Sequence, residues 1–207
     1  MGICGSPRMP ATRSGNRLFE MRRLEALSNT IFGVAMTLLA YDIPREPLVT
    51  TAPNWGMIWH AYASQLLALL LSFIVAGILW FSHQARLAYA PEANRFAVLV
   101  NLVFLLSIIL LPITTRLYGT YLDAANVIAL YGFHLLLISV LNLILWLIAA
   151  VPRRDWSVIG GPSFATLIFF VASMVALFAP HLAKFLWPLA FIAPVVASFA
   201  ERTGRHF

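Results

Sequence analysis

Apolar residues dominate this chain in runs of about twenty, and short polar or proline-bearing stretches separate the runs. A helix needs about 20 apolar residues to cross the hydrocarbon of a bilayer. The runs predict spans over 24–43, 57–82, 95–115, 124–150, 160–179 and 183–200. Pro44 and Pro47 stop the first, and QARLAYAPEANR, YGTYLDAAN and VPRRDW read as connections. Pro112 stands near the end of the third span, Pro180 and His181 mark a turn, and Pro188 and Pro194 fall inside the sixth. The fold class is therefore an all-α integral membrane protein with six transmembrane helices. A basic tail over 1–22 precedes it and a short tail over 201–207 follows.

The first span is the least uniform. Ser28, Asn29, Thr30 and Thr37 interrupt it, and hydrocarbon is a poor place for polar groups without partners. On a helical wheel of about 100° per residue, Leu27, Thr30, Ile31, Thr37, Leu38 and Tyr41 cluster around Val34. Ala26, Gly33 and Ala40 form a small-residue strip beside them, and Phe32, Met36, Leu39 and Ile43 lie opposite. Small strips let membrane helices approach closely, and a face of hydroxyls and branched aliphatics suits a narrow pore. The same pattern also suits a helix packed inside a bundle. Thr hydroxyls commonly bond back to a carbonyl one turn earlier.

Composition agrees with the spans. Of 207 residues, 61% are hydrophobic and 11% charged, with a mean hydropathy of +0.85. A soluble domain carries about 25% charged residues. The lone Cys4 excludes a disulfide framework or thiolate metal site, and no two of the five His residues have ligand spacing. No phosphate loop, zinc-protease pair or nucleophile elbow appears, so no enzyme, metal or cofactor is expected.

The net charge of +6 points to membrane topology rather than nucleic acid. With six spans, Arg8, Arg13, Arg17, Arg22, Arg23, Arg86, Arg95, Arg153, Arg154, Arg202 and Arg205 share the side of the termini. Arg45, Arg116 and Lys184 lie on the other. Eleven against three puts both termini in the cytoplasm. A multi-pass protein of the cell membrane is expected. Asp42 and Glu46, at the outer end of the first span, would form carboxylate rings in a symmetric oligomer, with Arg45 partly cancelling them.

The residues also carry a family resemblance. Arg23-x-x-x-Leu27-Ser28-Asn29, followed by Thr37-Leu38-Leu39 and Ile43, resembles the first-helix signature of the transmembrane protein 175 family. Leu27 replaces its Phe, Asn29 its Asp, and Asp42 its Glu. LWFSHQARL at 79–87 and NLVFLLSIILLPITT at 101–115 are similar to parts of its second and third helices. The resemblance runs over roughly 22–150. It implies a homotetrameric, potassium-selective channel of endosomal and lysosomal type or its shorter prokaryotic form. The first helix would line the pore. It implies that Val34, Leu38 and Tyr41 occupy the ring positions of a hydrophobic constriction, with Leu38 the narrowest. Thr37 matches the family's Thr and is the selectivity candidate, with Thr30 second. It further implies a polar network of Arg23, Ser28, Asn29, Trp80, His83 and Asn101, weakened or rearranged by the amide at Asn29. The partners would be K+ and other monovalent cations, the lipid bilayer, and other copies of the chain. A secondary or proton-coupled transporter and a non-conducting membrane scaffold are the alternatives. Against a transporter, the spans lack a chain of carboxylates and paired broken-helix repeats.

Overall fold

The computed structural model describes residues 21–41, 54–90 and 95–192, with Val195 and Ser198 beyond them. Among these residues every regular element is helical: α1 Met21–Tyr41, α2 Trp55–Tyr89, α3 Arg95–Thr120, α4 Ala125–Ala150, α5 Gly160–Phe178 and α6 Pro180–Leu186. Short 3₁₀ segments lie at Val151–Arg153, Ser157–Ile159 and Trp187–Ile192. Four of the described stretches are long and apolar enough to cross a membrane: Trp55–Tyr89, Arg95–Thr120, Ala125–Arg153 and Ser157–Phe178. The chain is therefore a multi-pass membrane protein.

α2 is longer than its apolar run suggests. Asn54 starts it, its side-chain oxygen accepting from the Met57 amide at 2.9 Å. At 35 residues it measures about 52 Å, well beyond a hydrocarbon core of about 30 Å. The segment expected to connect the second and third spans continues as helix to Tyr89. Arg86 and Leu87 are buried there, so packing carries the helix through polar sequence.

The sixth span begins differently from the single helix expected over 183–200. Pro180 takes the first position of α6, where its missing N–H costs nothing. Seven residues later the chain changes to a 3₁₀ run containing Pro188, which has no N–H to give the Lys184 carbonyl. Trp187 at that change is fully buried, edge-on to the stacked rings of Tyr118 and Tyr131 at 5.1 and 5.0 Å. An aromatic anchor thus replaces helical continuity.

The core lies between α3 and α4, with α2 and α5 on its flanks. Phe104, Ile108 and Leu111 of α3 meet Ile128, Tyr131, Leu135 and Ile138 of α4. Buried hydroxyls are paired across helices: Thr115 donates to Ser72 at 2.7 Å, and Ser72 bonds the Tyr131 hydroxyl at 2.7 Å. Ser82 of α2 accepts from Asn142 and Trp146 of α4 at 3.0 and 2.9 Å. α1 packs on α2 and α3 from outside.

The end of α2 is tied to the α4–α5 connection. Tyr89 donates to Asp155 at 3.1 Å, and the Arg153 guanidinium lies over the Tyr89 ring at 5.0 Å. The Ser157 hydroxyl donates to Asp155 at 2.6 Å. Mainly through that bond, the Asp155 carboxyl is held below the usual carboxylate range. These ties join the end of α2 to the α4–α5 connection at one basic end of the bundle.

Candidate functional site

α1 divides into two faces. Leu24, Ser28, Phe32, Ala35 and Leu39 recur at steps of three and four and are buried, Phe32 at 1% and Leu39 at 3% exposure. Leu27, Thr30, Val34, Thr37 and Leu38 are exposed, Val34 at 52% and Leu38 at 40%. Ile31 departs from its expected place beside Val34: it is half-buried against the core, as is Met36. Ala26, Gly33 and Ala40 are exposed too, and a Cβ added at Gly33 would meet nothing within 4 Å. Among the described residues, then, no helix covers the small strip.

The hydroxyls on the exposed face are already engaged as donors. Thr30 donates to the Ala26 carbonyl at 2.9 Å and Thr37 to the Val34 carbonyl at 2.8 Å. Donation inward leaves the oxygen lone pairs free to accept or to coordinate a cation. Tyr41 is the last residue of α1, and its side chain lies outside the described residues, as do Asp42 and Glu46 entirely.

At the basic end, two clusters join the first three helices. In the first, the Asn29 side-chain oxygen accepts from Trp80 Nε1 at 3.0 Å and from Gln84 Nε2. In the second, Asn101 Oδ1 accepts from His83 Nε2 at 2.9 Å and from Arg86 at 3.0 Å. An amide oxygen only accepts, so His83 carries its proton on Nε2. The His83 ring is fully buried, stacked on Phe104 at 5.7 Å and edge-on to Phe32 at 5.9 Å. Phe32 thus links the buried face of α1 to the second cluster through ring contacts alone.

One expected member turns back on its own helix. The Ser28 hydroxyl is buried and donates to the Leu24 carbonyl at 2.7 Å. Arg23 is exposed in the first turn of α1. Two residues not singled out in the sequence belong to the clusters: Gln84, four residues after Trp80, and Arg86, three after His83. Helical spacing reveals both once α2 is carried past residue 82.

Residues 23–112, which hold both clusters and all of α1's exposed face, match the family model for the endosomal/lysosomal potassium channel TMEM175. This segment is TMEM175-like. A potassium channel from Streptomyces collinus is 32% identical over 125 residues, covering 58% of this chain and 59% of that protein. The endosomal/lysosomal proton channel TMEM175 of Gallus gallus is 25% identical over 205 residues, covering 83% of this chain and 40% of that protein. The chain thus spans less than two thirds of either relative's length. The crystal structure of a lysosomal potassium-selective channel TMEM175 homologue from Chamaesiphon minutus superposes with a TM-score of 0.77. That match covers 86% of this chain and 98% of that one, at 23% identity, and shows that the two share a fold.

Proposed function

We propose that this chain is one subunit of a potassium-preferring cation channel, a homotetramer whose central pore is lined by α1. The observation that carries the reading is the unfinished packing of α1. Its face of Leu27, Thr30, Val34 and Leu38, with Gly33 bare beside it, is left uncovered by the described residues, while the opposite face is locked into the core. Four copies arranged about an axis would bring these faces together, and small residues would allow the close approach.

In that assembly Val34, Leu38 and Tyr41 form successive rings about one turn apart. A ring of branched aliphatics can exclude water and close the path by dewetting, without a moving plug. Leu38 forms the narrowest ring and Val34 a wider one. Thr37 and Thr30 present hydroxyl oxygens that replace part of the hydration shell of a passing K+. Asp42 and Glu46 concentrate cations at the outer mouth. The clusters around Asn29 and Asn101 hold α1 at its basic end. The protein resides in the cell membrane with both termini cytoplasmic, needs no cofactor and performs no chemistry on its ion.

Purified protein reconstituted into liposomes with imposed K+, Na+ or H+ gradients tests this reading. The channel predicts passive flux that follows the K+ electrochemical gradient and exceeds Na+ flux. Flux that requires a second, counter-moving ion would replace the channel by a coupled carrier. No flux of any cation from assembled particles would leave a scaffold.

A further inference from the structure

At the basic end of the bundle a buried cation has no counter-charge among the described residues. Arg86 lies in the last turn of α2 and is 6% exposed. One terminal nitrogen donates to Asn101 Oδ1 at 3.0 Å, and its Nε is buried with no partner. Asn101, fully buried, has its Oδ1 occupied twice and its Nδ2 donor unpartnered. No Asp or Glu among the described residues pairs with Arg86; the ion pair of Lys184 with Asp123 belongs to the opposite end. Arg86 also fixes the Asn101 amide. A guanidinium can only donate, so the atom that meets it is the oxygen, and Nδ2 is the amide's remaining donor.

A guanidinium withdrawn from water without an anion is costly, and buried charges in proteins are paired. The depth of the site makes a partner available. Arg86 is four residues from the C-cap Ala90, and Asn101 is six residues into α3 from Arg95. Both are thus about 6–9 Å from their helix ends. This is the level at which lipid phosphates and dissolved ions meet a membrane protein. The guanidinium fork and an amide N–H both suit an anionic oxygen or a halide.

We propose that Arg86 and Asn101 form an anion site at the basic end of the α2–α3 pair, taking either a dissolved anion or the phosphate of an anionic lipid. His83 is a positioning residue here: by donating to Asn101 Oδ1 it shares the work of holding the amide with its Nδ2 free. The site lies behind α1, against the Phe32–His83–Phe104 ring stack, and away from the exposed face of α1. An anion there would brace the α2–α3 pair on which α1 packs.

The test is the melting temperature of the assembled, full-length protein at fixed potassium and fixed ionic strength. In one arm gluconate is exchanged for chloride or phosphate in lipid-free detergent. In the other, phosphatidylcholine is exchanged for phosphatidylglycerol in gluconate. The wild type is expected to melt higher in at least one arm, since a ligand that binds only the folded state stabilises it by mass action. Arg86→Met, which keeps an apolar stem and removes the charge, is expected to be flat in both. It should melt at or above the wild type when no binding anion is present. A response to chloride or phosphate assigns a dissolved anion, and a response to phosphatidylglycerol alone assigns the lipid phosphate. A wild type indifferent to both arms overturns the proposal, and so does an Arg86→Met protein that responds as the wild type does. If that variant does not accumulate, Arg86→Lys keeps the charge and deletes the Nε donor. A reduced response then supports the site, and an unchanged one overturns it.

Discussion

Helices α1 and α4 have comparable lengths, 21 and 26 residues, yet they stand in opposite relation to the rest of the protein. α4 is the more deeply packed within the protomer. Ile128, Tyr131, Leu135, Ile138 and Leu145 are exposed by no more than 1%, and α2, α3, α5 and α6 all pack against it, although Leu130, Phe133 and Leu137 leave one exposed apolar stripe. α1 rests on α2 and α3 along one stripe and leaves aliphatic and hydroxyl side chains uncovered along another. A helix like α4 is scaffold, and its side chains answer to packing. A helix like α1 has a second face that answers to whatever completes it, so its substitutions should separate folding from conduction.

The sharpest way to break that comparison is to damage each side in turn. Phe104→Ala removes a fully buried ring that touches both Phe32 and His83. It is expected to cost about 3–5 kcal/mol and to deplete folded protein, read as the monodisperse yield on size exclusion. Gly33→Leu should leave the protomer fold intact, because its new side chain meets open space, and should abolish the proposed tetramer. Cross-linking of that variant that still yields the wild-type oligomer would show the small strip to face lipid.

Leu38→Ser tests the constriction. Leu38 is 40% exposed in the protomer, so its truncation is expected to lower protomer stability little, and to raise resting flux and relax selectivity. The quantity to measure is flux per assembled particle; an assembled variant no leakier than wild type removes Leu38 from the pore. Asn29→Asp acts at the basic end. A carboxylate would accept the Trp80 and Gln84 donors with charge assistance, for a gain of about 1 kcal/mol or less at this exposed position. An unchanged or lowered melting temperature would show that the amide's own geometry matters there. Thr37→Val should have the smallest structural effect, since it keeps shape and deletes one bond back to Val34. Its expected outcome is a lower K+ to Na+ permeability ratio in bi-ionic flux; an unchanged ratio leaves the Thr37 hydroxyl a purely local backbone partner.

Local sequence determined the parts that depend on local physics. Four of the six apolar runs coincide with described helices long and apolar enough to cross a membrane, and α4 and α5 begin and end within a residue of the runs expected at 124–150 and 160–179. Helical periodicity set Phe32 and Leu39 opposite Val34, and both are buried. Tertiary packing decided the rest. α2 runs seven residues past its apolar stretch because Arg86 and Leu87 find burial against other helices, which composition in a window does not register. α6 gives way to a 3₁₀ run at Trp187, whose ring packs edge-on against Tyr118 of α3 and Tyr131 of α4, more than fifty positions earlier in the chain. Ile31 turns toward the core because the stripe that α1 buries is centred by its two neighbours, not by its own hydrophobic maximum. The pairs Asn29–Gln84 and Arg86–Asn101 join residues 55 and 15 positions apart. Hydrogen bonds of this kind depend on which helix faces which, and at what height. Those relations are set only when the helices pack.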